Sequence, residues 1–113
     1  MRDTVTFRLP GSKRHLHFRA LRGWAEKARG LLHTSADAEP VVLCGCSSIH
    51  TVGMAYPIDV AFVTKRGEVL SSRRGVPPGK LMLSLGAHYA LERPQSEAPW
   101  PFEGSWLSIA DAR

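Results

Sequence analysis

Long hydrophobic runs are missing from this sequence: no window approaches the ~18 apolar residues of a membrane-spanning helix. Its first residues, Met1-Arg2-Asp3-Thr4-Val5-Thr6, lack the apolar centre of a secretory leader. These absences predict a protein with no membrane span, located in the cytoplasm. Cysteine is scarce, with 2 residues, which excludes a disulfide framework. In an extended chain Cys44 and Cys46 stand roughly 7 Å apart at Cα, at the limit of an unstrained bridge, so both are expected as free thiols. Aromatic residues make up 8% of the chain and nowhere alternate with Lys or Arg as a base-stacking platform requires. With no helix-turn-helix spacing either, nucleic acid is a disfavoured partner.

The 113 residues suffice for one domain with a real core and are too few for two, so residues 1–113 read as a single unit. An apolar share of 43% against 22% charged places the chain away from the disordered class. The formal charge of +5 is unevenly spread: residues 1–33 carry +6 and 65–80 carry +4, whereas 34–64 carry −3 and 81–113 carry −2. Blocks of Lys and Arg raise the local potential and attract a nucleic acid, an anionic membrane surface or an acidic partner. The simpler reading is a solvated basic face that aids solubility.

Thr4–Leu9 alternates, with Val5, Phe7 and Leu9 on one face, and ends at the turn dipeptide Pro10-Gly11. Arg14–Phe18 alternates again, which predicts a hairpin partner with His15 and His17 outward. From Phe18 the period changes to three and four residues through Leu21, Trp24, Ala25, Ala28, Leu31 and Leu32. That spacing predicts an amphipathic helix ending near Gly30, with Trp24 in the core. Val41–Cys44 predicts a short buried strand. Ile58–Thr64 is the strongest strand signal, and Lys65-Arg66-Gly67 suits a three-residue hairpin returning through Glu68–Ser72. Arg73–Gly79 reads as an exposed basic loop, because Pro77 and Pro78 cannot donate to a ladder. Leu81–Leu85, Ala87–Glu92 and Gly104–Ile109 predict further short strands, and Trp100 between two prolines reads either as an exposed aromatic or as a cap on one end of the barrel. Together these features predict an α+β domain that is mainly β with one helix. Its form is a small barrel or a strongly curved antiparallel sheet packed by a single amphipathic helix.

The run Cys46-Ser47-Ser48-Ile49-His50-Thr51, followed by Met54, Pro57-Ile58-Asp59-Val60, Phe62, Gly67 and Val69, resembles the DUF192 (UPF0127) family of small prokaryotic proteins. Ala28-Arg29-Gly30-Leu31-Leu32 is similar to that family's helix end, and Leu91-Glu92 and Gly104 extend the likeness. The chain departs from the pattern at Gln95-Ser96, where Ala-Gly is usual, and at Gly104-Ser105, where Gly-Asp is common. The resemblance implies a small β-rich domain with one packed helix, and it brings no established activity with it.

Asp59 sits between Ile58 and Val60 in a core strand, where a carboxylate must be hydrogen-bonded or protonated. The expected donors are backbone N–H groups of the Ser48–Thr51 loop or of the turn before Pro57. Cys46, His50 and Asp59 have the residue types of a thiol nucleophile, its base and an orienting carboxylate, and are the candidate catalytic residues. Cys44, Cys46 and His50 offer three metal ligands without a fourth and without the usual cysteine spacing, so no metal is predicted. His50, Thr51, Met54, Tyr56 and Asp59 form the predicted ligand-binding set. The favoured function is a non-enzymatic accessory or binding module, monomeric and needing no cofactor, that takes a small molecule, a peptide or a protein partner. Two alternatives stand beside it: a thiol-dependent hydrolase using Cys46, His50 and Asp59, and weak binding of nucleic acid or an anionic surface through the basic loops.

Overall fold

Alternation carries the first hairpin. Strand β1 (Thr4–Arg8) buries Val5 and Phe7 and pairs antiparallel with β2 (His15–Leu21), from Thr4 opposite Arg19 to Arg8 opposite His15. The computed structural model describes residues 3–112; Met1, Arg2 and Arg113, which entered the leader and charge readings, lie outside the described residues. Strand β2 runs past Phe18 to Leu21, so helix α1 is confined to Trp24–Arg29, with no buried residue. This corrects the longer packed helix expected from the sequence. Phe18 and Leu21 satisfy a helical period, but the ladders that β2 makes on both sides claim them first. Trp24 is accordingly 83% exposed rather than in the core. The helix ends at Gly30, whose φ of +52° suits glycine and whose N–H donates to the Glu26 carbonyl at 2.9 Å.

The remaining strands are β3 (Val41–Cys44), β4 (Ser48–His50), β5 (Ile58–Val63), β6 (Val69–Val76), β7 (Leu81–Leu83), β8 (Tyr89–Pro94) and β9 (Ser108–Ala112). Five of them join β1 and β2 in one strongly curved, open half-barrel sheet in the order β6-β5-β8-β3-β2-β1-β9, while β4 and β7 form a separate ribbon. Pairing is antiparallel except between β2 and β3, the two strands that α1 connects. The end strands approach each other at a seam: the Val69 N–H donates to the Ser105 carbonyl, and the Leu107 N–H to that of Gly67. A Cβ on Gly67 would lie 2.1 Å from the Leu107 carbonyl oxygen, so only glycine fits there.

Arg73–Val76 belongs to β6 instead of the expected loop, since its prolines begin only at Pro77 and an edge strand needs partners on one side alone. Two apolar clusters occupy opposite faces of the sheet. One contains Val5, Phe7, Phe18, Ala61, Val63, Leu91 and Trp100; the other contains Leu31, Val41, Leu43, Ile49, Met54, Val60, Phe62 and Ala90. Of the two environments open to Trp100, the structure shows the buried one: it is 6% exposed within the first cluster.

Candidate functional site

Strand alternation sends Asp59 toward the Trp100 face, together with Ala61 and Val63. Asp59 is fully buried, and its carboxylate accepts from the Gly75 N–H at 2.9 Å, Arg93 Nε at 2.8 Å and the Ser96 N–H at 3.3 Å. Buried polar satisfaction is therefore met, by donors other than those expected near Ser48–Thr51. Arg93 lies directly opposite Asp59 across β5 and β8. Its Nη1 donates to the Pro99 carbonyl at 3.0 Å and its Nη2 to that of Ala98 at 2.7 Å, and its guanidinium lies 4.4 Å from the Trp100 ring centroid. The pair is a clasp that holds the 95–101 segment against the sheet.

Thr51 is a second fastening point. Its side-chain oxygen accepts the Lys80 N–H and donates to the Pro77 carbonyl, both at 2.8 Å. Its own N–H donates to the Lys80 carbonyl, and its carbonyl accepts the Gly79 and Met54 N–H groups. Every polar atom of a fully buried residue is thus spent on fixing the base of the β4–β7 ribbon.

Between that ribbon and α1 lies a cavity of about 260 Å³, lined by Lys27, Arg29, Cys46, His50, Glu92 and the apolar side chains Leu31, Leu43, Ile49, Met54 and Leu81. The structure brings Cys46, His50 and Met54 together on its wall. It does not bring Asp59, Thr51 or Tyr56 there: Asp59 faces the other side of the sheet, Thr51 holds the ribbon, and the Tyr56 hydroxyl pairs with Thr34 Oγ1 at 2.6 Å. Cys46 Sγ donates to the Ser48 carbonyl at 2.9 Å. Cys44 faces the other side of the sheet, in the cluster of Val5 and Phe7, where burial pushes its thiol up. No group of three or more His, Cys, Asp or Glu side chains spaced to hold a metal occurs among the described residues.

Glu92, absent from the predicted ligand-binding set, is 4% exposed and lines the cavity. Removal from water pushes its carboxyl up to about 7, against the pull of the Leu31 N–H, which favours the ionised form. No ion pair reaches it among the described residues. The two apolar clusters cover both faces of β8, so burial is continuous from Tyr89 to Arg93, and no local alternation marks Glu92 as inward.

No family model and no curated protein matches the chain. Among solved structures it is similar to a "putative transcription regulator" from Sinorhizobium meliloti 1021, with 15% identity, a TM-score of 0.75, and 99% of this chain and 96% of that one covered. It is also similar to a protein of unknown function from Novosphingobium aromaticivorans DSM 12444, with 20% identity, a TM-score of 0.66, and 93% and 83% covered. Likeness at these identities shows a shared fold.

Proposed function

We propose that this domain is a non-enzymatic binding module of the DUF192 type, which seats a small ligand or a peptide side chain in the cavity between α1 and the β4–β7 ribbon. The observation that carries the reading is Glu92, a buried carboxyl at a cavity wall with one backbone donor and no cation bound to it. A ligand that brings a hydroxyl or ammonium group to Glu92 and an apolar body to Leu31, Leu43, Ile49 and Met54 matches this lining. A thiol enzyme is the weaker reading, because Asp59 is spent on Arg93, Gly75 and Ser96 and does not orient His50.

Titration of ¹⁵N-labelled protein with benzylamine, isobutylamine and benzyl alcohol tests it. The expected result is amide shifts confined to Lys27–Leu31, Cys46–Met54, Leu81 and Glu92, weakened in Glu92→Gln for the amines and retained in Cys46→Ser. Scattered shifts, or none, overturn the proposal.

A further inference from the structure

Strand β7 has one edge with no partner. In its ladder with β4, Ser84 donates to Ser47 and Thr51 donates to Lys80, and Ile49 stands opposite Met82. Hydrogen-bonded pairs alternate along an antiparallel ladder, so Met82 bonds inward to β4 while the N–H and C=O groups of Leu81 and Leu83 point away from it. No backbone or side-chain partner meets them among the described residues. Natural edges are blocked by charge, proline or a bulge. Here the edge positions are leucines, 79% and 67% exposed, with Leu85 beyond them at 85%.

Read in either direction, the edge is Leu81-Met82-Leu83. We propose that β7 pairs antiparallel with β7 of a second copy of this chain, about a two-fold axis through Met82, in place of the monomer expected from sequence. In that register Leu81 lies opposite Leu83 of the partner subunit, and the outward groups of both leucines close four backbone hydrogen bonds. The interface is isologous, as two-fold symmetry requires. Lys80 falls opposite Ser84 of the partner subunit, so no like charges meet within the paired segment. Three strand residues and three leucines per copy bury less than the ~800 Å² per partner of a standard interface, so the dimer is weak and forms by mass action. With +5 on each copy, added salt strengthens it, whereas an acidic heterologous partner would be released by salt.

Sedimentation velocity from about 10 μM to about 1 mM, at low and high NaCl, tests the proposal. The expected result is a dimer that grows with concentration and salt, together with slower hydrogen exchange at the Leu81 and Leu83 amides as concentration rises. Leu83→Pro removes an outward donor without touching the β4 ladder, and Leu81→Lys adds a charge at the edge; each weakens the dimer by at least about tenfold. Far-UV circular dichroism verifies that both variants fold, and Leu81→Lys decides if Leu83→Pro does not. A wild-type monomer at the highest concentration overturns the proposal and leaves the edge to a different chain. So does a dimer that survives Leu81→Lys, or exchange protection that builds up elsewhere.

Discussion

Glu92 and Arg93 are consecutive on β8, at 4% and 6% exposure, and face opposite sides of the sheet. Arg93 meets a carboxylate, two carbonyls and an indole ring, so its charge is accounted for atom by atom. Glu92 receives one backbone N–H and relieves its burial by holding its proton more tightly. The first arrangement closes a face and pins a segment of chain. The second leaves an ionisable group next to a cavity. Complete satisfaction marks the structural charge, and incomplete satisfaction marks the one available for chemistry or recognition.

The contrast is broken most severely by Asp59→Ala, which strands Arg93 as an unpaired buried cation. Unfolding in urea is expected to show a loss of about 3–5 kcal/mol. Asp59→Leu with Arg93→Met recovers only part of it, because Gly75, Ser96, Ala98 and Pro99 lose their partners as well. A loss under about 1 kcal/mol in Asp59→Ala would remove the clasp from this account.

Glu92 sharpens the contrast through pH. Its carboxyl is raised from an ordinary 4.5 to about 7, so the folded state binds the proton more tightly than the unfolded state. The stability this contributes is full below about 4.5 and is lost as pH rises through about 7, a change of about 3 kcal/mol. Glu92→Gln keeps an acceptor for Leu31 and sheds the charge. Denaturation midpoints across that window are expected to fall for wild type relative to Glu92→Gln; parallel curves would refute the difference between the faces.

Thr51→Val gives the smallest effect. It leaves the Lys80 N–H and the Pro77 carbonyl without their hydroxyl partner, costing about 2 kcal/mol. Hydrogen exchange is expected to speed up in the β4–β7 ribbon and to stay unchanged around Trp100. Equal acceleration on both faces would mean that the ribbon is not a separate unit.

Much of the sheet was legible because its signals are local. Val5 and Phe7 alternate, Ile58–Val63 is apolar at every position but Asp59, and Gly67 marks its hairpin with φ of +111°. The helix is shorter than its period predicts because Phe18 and Leu21 fit two periods at once, and pairing decides between them: Phe18 with Val5 of β1 and Leu21 with Leu43 of the distant strand β3. Trp24 lies outside its expected core for the same reason, and of the two readings open to Trp100 the buried one holds because the proline-flanked indole is drawn inward by Arg93 and by the Val60 carbonyl, which accepts from its Nε1 at 3.4 Å. Asp59 was recognisable as a buried acid in need of donors. Its partners, however, come from 16, 34 and 37 residues further along the chain, a distance that no local pattern encodes.

The position of β8 has a consequence for synthesis. It is the eighth strand to leave the ribosome, yet it is the one that joins β3 to β5. Until residues 89–94 emerge, the nascent chain holds two unfinished pieces, whose open borders are Val41–Cys44 and Ile58–Val63, wholly buried in the finished protein. A translational stall just before Tyr89 would therefore expose two adhesive strands at once, and that interval is when this chain most needs a chaperone.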